Sequence, residues 1–218
     1  KDTLLISEIF GDTSQWLQGD RFDGTMNYSF RESMTDYFAT KRITNKEFAD
    51  SLANLYSMYS FEALSSCQNL LSSHDVKRFL NRCGNEKDGM LGAIFLQATF
   101  PGIAGIYYGD EIGLGGADDP FNREPFPWDD QKSWNLEILN YLKNLMKIKR
   151  ESPIFKYGRF ELLNEHNDFV AFRRILKDES MLCIINREKS NNDFQIISNA
   201  HSINCLLYTS DAADESSS

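Results

Sequence analysis

The sequence predicts an α/β protein, the C-terminal half of a (β/α)8 TIM barrel followed by a truncated antiparallel β domain. Three observations lead there. Short apolar runs closed by polar or glycine residues read as strands buried on both faces. Segments of helical periodicity alternate with them, as parallel β/α units require. After Pro153 the helical period gives way to short strands separated by polar turns. A complete barrel needs roughly 250 residues, and only about four β/α units precede Pro153. Residues 1–155 are therefore expected to form half a barrel, 156–204 a partial all-β domain, and 205–218 a non-native tail.

The strand-like runs of the first region are Thr3–Phe10, Phe22–Asn27, Cys67–Leu71 and Ile103–Tyr108. Between them, Phe30, Met34, Tyr37 and Phe38 recur at helical spacing. Thr44-Asn45-Lys46-Glu47 is a capping-box signature, opening a helix that carries Leu52, Leu55, Tyr56 and Tyr59. Asp88–Phe100 is a third helix. Ser133–Glu151 is a fourth, with Ile138, Tyr141, Leu145 and Ile148 on one face and Pro153 as its stop. The second region offers strands at Gly158–Leu163, Phe169–Ile175 and Met181–Asn186, with turns at Asn164–Asn167 and Lys177–Ser180.

Composition restricts function. A chain of 218 residues with 41% hydrophobic and 13% aromatic content can bury a core. A net charge of −9 without any basic cluster excludes a nucleic-acid surface and suits a neutral substrate. No apolar run approaches the ~20 residues of a membrane span. Cys67, Cys83, Cys183 and Cys205 lack Cys-x-x-Cys spacing, so neither a metal centre, a redox motif nor a cofactor is expected, and reduced cysteines favour a cytoplasmic origin. The chain opens with Lys1 directly before a strand-like run, which reads as a start within a fold. Cys205 to Glu215 resembles a translated sequencing-library adapter, so Cys205 is expected not to be native.

Two strand ends carry candidate chemistry. Glu8 closes the first strand, where a parallel barrel presents its reactive groups; taken alone, it reads as a solvated or loop-anchoring residue. His74 and Asp75 follow the third strand in Leu71-Ser72-Ser73-His74-Asp75, and there Ser73 or Asp75 reads equally as the cap of the next helix. Together they make a different case. Glycosidic cleavage needs a protonated carboxyl for the leaving oxygen and carboxylates to balance an oxocarbenium-like transition state, and an imidazole beside them can bind sugar hydroxyls.

Several ordered motifs carry a resemblance. Glu8-Ile9-Phe10-Gly11-Asp12, Trp16-Leu17, Gly19-Asp20, Phe22-Asp23 and Met26-Asn27-Tyr28 resemble the fifth-to-sixth-strand stretch of the α-amylase family of glycoside hydrolases. Within that family they are most similar to the neopullulanase, cyclomaltodextrinase and maltogenic amylase group. Leu71–Asp75 with Arg78-Phe79 resembles the seventh-strand motif. Phe100-Pro101-Gly102 and Ile106–Gly113 resemble the eighth-strand motif, and Gly115-Gly116, Asp119-Pro120, Arg123 and Pro127-Trp128-Asp129 the loop that follows. The resemblance covers residues 1 to about 190. It implies that Glu8 is the general acid/base, that Asp75 binds sugar hydroxyls and stabilises the transition state, and that His74 binds the same ring. It places Asp119 and Arg123 against a neighbouring glucose; the bare residues read equally as a surface ion pair. Trp128 reads as packing beneath the loop in preference to stacking on sugar, and Glu111 as fixing the loop. The implied partners are α-glucan oligosaccharides, and a homodimeric parent protein is left open.

Phe10 and Gly11 stand where this group commonly has Trp and His, which bears on acceptor-side contacts. Val76 and Ala104 replace a usual Thr and Pro. The family's nucleophilic Asp lies on the fourth strand, and no residue here matches its motif. The expected activity of the intact protein is retaining hydrolysis of α-1,4, and as a second candidate α-1,6, bonds in cyclodextrins, pullulan or maltooligosaccharides. The chain by itself is expected to be inactive. Transglycosylation within the family and a non-catalytic sugar-binding relative are the alternatives.

Overall fold

Short parallel strands lie side by side in the computed structural model, which describes residues 3–163, 168–187 and 203–209. β1 (Ile6–Ser7) pairs with β2 (Gly24–Thr25), and β3 (Gln68–Leu70) pairs with β4 (Ile103–Gly105). A parallel bridge between Met26 and Gln68 joins the two pairs, so the strands follow one another in chain order. Each is shorter than its apolar run. β1 and β4 are the outer strands, with a partner on one side only, and the ladder stops where the second neighbour is missing. Leu4, Leu5, Ile103 and Ile106, predicted to be buried, are accordingly 41–52% exposed.

Polar side chains cross-link the strands inside. Ser7 Oγ donates to Thr25 Oγ1 at 2.9 Å, and Asn27 Nδ2 donates to Asn69 Oδ1 at 2.9 Å. Asn69 Nδ2 in turn donates to the Pro101 carbonyl at 2.8 Å. All of these residues except Pro101 are buried polar groups and need such partners. Asn27 does a second job. Its Oδ1 accepts from the Phe30 backbone N–H and caps α1 (Tyr28–Met34), fixing where that helix begins.

α1 runs into a π-helical turn, Thr35–Ala39, that buries Tyr37 and Phe38. α2 (Asn45–Ser57) starts as predicted, with both bonds of the Thr44/Glu47 capping box formed. α3 (Phe61–Ser66) and α4 (Phe79–Arg82) are too short to show a period in the sequence. α5 (Lys87–Thr99) is buried on every side from Met90 onward, and its Gln97 Nε2 donates to the carbonyls of Asn69 and Gly105 on β3 and β4. A Cβ at Gly92 would lie 2.3 Å from the Phe38 ring, so this close approach requires glycine. α6 (Leu136–Glu151) begins after Asn135, whose side chain accepts from Glu137 and Ile138; the predicted start at Ser133 belongs to a separate 3-10 turn. Pro153 does follow the end of α6, and it also opens α7 (Pro153–Tyr157), a position that suits its missing N–H.

β5 (Arg159–Leu162), β6 (Val170–Leu176) and β7 (Glu179–Asn186) form the expected antiparallel meander. The turn after β6 is tight, with Lys177 at φ +54°; the turn predicted at Asn164–Asn167 lies outside the described residues. β8 (Ile203–Thr209) joins β7 in parallel and crosses residue 205, where the sequence places the start of the tail. Tyr208 on it is buried beside Phe38 and Phe95 and donates to the Asp88 carbonyl. Residues 210–218 lie outside the described residues.

One apolar core runs from the barrel helices into this sheet, through Phe100, Phe155, Phe160 and Phe172. Fully buried Arg174 crosses the junction and donates to the carbonyls of Thr99 at 2.6 Å, Gly158 at 2.6 Å and Phe155 at 3.3 Å. These carbonyls close α5 and α7, where a cation is favoured. Nearby, Lys149 Nζ donates to the Ala98 carbonyl at 3.0 Å, and burial together with the Arg174 charge lowers its pKa to about 7. The unfolded chain therefore binds the Lys149 proton more tightly than the folded one. Its contribution to stability is fully present above pH ~10.5 and falls away as pH drops toward 7. Replacing Lys149 by Met is expected to flatten the rise of melting temperature between pH 7 and 10, as read in thermal melts.

Candidate active site at the strand ends

Glu8 follows β1 directly, and the turn carrying His74 and Asp75 follows β3. The fold brings them together: His74 Nε2 lies 3.9 Å from Glu8 Oε1 and 3.3 Å from Asp75 Oδ1. One donor atom from each lies within 4.8 Å of the other two. All three side chains are open to solvent, at 49%, 50% and 36% exposure, so a ligand can reach them without any opening step. The three groups also lie within reach of one cation, although their donors spread to 4.8 Å where tetrahedral zinc would hold them about 3.3 Å apart.

Beneath the cluster, Tyr28 at the start of α1 is buried. Its hydroxyl is within hydrogen-bonding distance of Ser73 Oγ, at 3.0 Å, and Phe10 stacks on its ring at 3.9 Å. Burial raises the Tyr28 pKa, and the charges of Asp75 and Glu8 push the same way against the Ser73 bond. Tyr28 thus stays a neutral hydroxyl beneath the cluster.

The turn itself is held by two buried arginines. Arg31 on α1 donates from Nε to the Leu71 carbonyl at 2.8 Å and from Nη2 to the Lys77 carbonyl at 3.2 Å, spanning both ends of the turn. Arg78 has no exposure. It donates from Nε to the Asn122 carbonyl at 3.0 Å and from Nη1 to the Tyr108 carbonyl, and it pairs with Asp110 at 3.4 Å. Its guanidinium lies 4.2 and 4.6 Å from the Tyr107 and Tyr108 rings. Burial raises the Asp110 carboxyl to about 7 in spite of Arg78 and a Ser72 hydrogen bond. The loop anchor is thus Asp110 and not the Glu111 expected from sequence. Nor do Ser73 or Asp75 cap α4: Ser72 Oγ accepts from the Phe79 N–H at 2.9 Å.

Asp119 and Arg123 form an ion pair at 3.1 Å on the neighbouring loop, with 63% and 47% exposure. They are not part of the Glu8 cluster, but Arg123 Nε also donates to the His74 carbonyl at 3.0 Å. Trp128 overturns its expectation. It is 70% exposed and packs on Phe126 at 4.3 Å, while the half-buried Trp134 meets the same ring edge-on at 5.5 Å.

The model of the alpha-amylase catalytic domain matches residues 1–147. The chain belongs to the α-amylase family. A cyclomaltodextrinase from Thermoanaerobacter pseudethanolicus is 36% identical over 185 residues, 85% of this chain and 32% of the relative. Neopullulanase 2 from Thermoactinomyces vulgaris is 36% identical over 187 residues, again 85% of this chain and 32% of the relative. Among solved structures, a cyclic α-maltosyl-(1→6)-maltose hydrolase from Arthrobacter globiformis in complex with that sugar superposes with a TM-score of 0.81. It is 31% identical and matches 85% of this chain and 42% of the other. The chain therefore spans about a third of the length of these curated relatives, and its β/α part is a fragment of the family's TIM barrel.

Within this α-amylase-family site, sequence reasoning placed Glu8, His74 and Asp75 together and missed the residues that hold them. Arg31 and Asn122 read as ordinary polar residues and Arg78 only as part of the seventh-strand motif, because their carbonyl partners lie 30–48 positions away. The three cysteines of the core, Cys67, Cys83 and Cys183, are unpaired, and burial raises their thiols, to about 11 and about 12 for the first two. They are inert filling. No helix among the described residues is long and apolar enough to cross a membrane. A cleft of about 330 Å³ lined by Ser14, Gln18, Asp23, Tyr59 and Glu62 opens near the N-terminal ends of β2 and β3, away from the reactive groups.

Proposed function

We propose that this chain supplies the acid/base half of a retaining α-glucan hydrolase that cleaves α-1,4, and in some substrates α-1,6, glucosidic bonds of cyclodextrins, pullulan or maltooligosaccharides. The observation that carries the reading is the convergence of Glu8, His74 and Asp75 at the C-terminal ends of parallel strands. Glu8 protonates the leaving sugar and then, as carboxylate, activates water. Asp75 accepts hydrogen bonds from sugar hydroxyls and balances positive charge at the anomeric carbon. His74 binds the same ring, and Asp119 and Arg123 contact the next glucose. In this reading residues 1–155 are the C-terminal half of the catalytic barrel.

The nucleophile comes from outside this set. The resemblance puts the family's nucleophilic Asp on the fourth strand, ahead of Glu8, and no residue here matches its motif; a retaining enzyme needs that carboxyl about 5 Å from the acid. A covalent glucosyl intermediate therefore requires a carboxylate from an added barrel half. The purified 218-residue chain is expected to show no release of reducing sugar from maltotriose or β-cyclodextrin. Joined to a half that bears an Asp in an Arg-x-Asp motif, it is expected to turn both over. Turnover by the chain alone, or none by the assembled protein, refutes the reading.

A further inference from the structure

We propose that Asn122 is a positioning residue that sets the backbone of the His74–Asp75 turn and couples it to the loop carrying Asp119 and Arg123. The inference rests on the reading of Glu8, His74 and Asp75 as the reactive centre. The Asn122 side chain is 1% exposed, although its 3-10 turn, Phe121–Arg123, lies in an otherwise open loop. Its Nδ2 donates to the carbonyls of His74 at 2.8 Å and Val76 at 3.0 Å, the residues on either side of Asp75. Two carbonyls can only accept, so the amide must present its NH2 to both, and the Oδ1 it turns away is buried without a partner.

The tie is reciprocal. Arg78, at the end of the same turn, donates from its side chain to the Asn122 carbonyl and from its backbone N–H to the Gly116 carbonyl at 3.1 Å. Arg123 adds a second donor to the His74 carbonyl while pairing with Asp119. Neither segment can shift without breaking bonds to the other. A sugar that engages Asp119 or Arg123 therefore bears on the same loop that fixes His74 and Asp75, two side chains that themselves project into solvent and have little packing to steady them.

Asn122→Asp keeps the shape and removes both donors, setting an oxygen against two carbonyls; Asn122→Ala removes the group outright. In the 15N-labelled 218-residue chain, both variants are expected to keep the amide spectrum of β6 and β7 and to move the His74 ring signals. In the protein assembled with a nucleophile-bearing barrel half, kcat on maltotriose is expected to fall by about 10–100-fold, the scale of a small misplacement of reacting groups, while KM changes less than about threefold. Folded variants with unmoved His74 signals overturn the proposal, as does a variant set in which neither chain folds, since Asn122 is then a general stability element. An inactive wild-type assembly whose His74 signals still respond to Asn122 would remove the catalytic reading and leave the positioning one standing.

Discussion

Replacing Glu8 by Gln in the assembled enzyme is expected to lower kcat on maltotriose by about 10²–10⁴-fold, the usual contribution of a positioned general acid. The amide keeps the shape of the side chain and cannot give up a proton to the leaving oxygen, so the sugar should still bind and KM should change little. The deficit should depend on the leaving group. α-Maltosyl fluoride expels fluoride without protonation, and its first step should run at near wild-type rate, leaving the covalent intermediate to accumulate. A loss as large on the fluoride as on maltotriose, measured in the pre-steady state, would assign Glu8 to some role other than the acid.

Arg78→Met should produce the largest loss of stability in this part of the molecule. The change leaves Asp110 in a site where the pair's side chains are 0% and 7% exposed, and it also removes the donors to the Tyr108 and Asn122 carbonyls. Breaking a buried pair from one side costs about 3–5 kcal/mol, which for a chain of this size lowers the melting temperature by roughly 10–15 °C. The pH dependence follows from Asp110. Its folded pKa, about 7, lies above its ordinary 3.8, so its contribution is complete below pH 3.8 and is lost as pH rises through 7. Without Arg78 the ionised carboxylate is costlier still. The deficit of Arg78→Met should therefore be larger at pH 8 than at pH 5, and adding Asp110→Asn should recover part of it. An equal deficit at both pH values, measured by thermal melts, would mean that Asp110 is not what Arg78 offsets.

The two variants separate what was readable in the chain from what was not. Glu8, His74 and Asp75 stand at or just beyond the ends of apolar runs, and their combination with the ordered motifs around them, not any one alone, nominates them. Asp119 and Arg123 could be nominated by motif alone, and their use as a bridge to the His74 carbonyl could not. The α2 capping box is a short-range bond pair, Thr44 with Glu47, and it forms as written. Trp128 went the other way: it stays exposed while Trp134, nearer α6, is half-buried against the same Phe126 ring, an outcome set by the path of the loop.

The same division runs through the whole protein. By itself the sequence determined the alternation of strand and helix, the change to an antiparallel meander after Pro153, and the residue types at two strand ends, because each of these is carried by spacing within a few residues. Only the tertiary structure decided that β8 joins β7 in parallel, and that Arg31, Arg78 and Asn122 hold the reactive turn. Those outcomes depend on which distant carbonyls a buried donor meets. A buried donor must find some acceptor, and the chain order does not say which one.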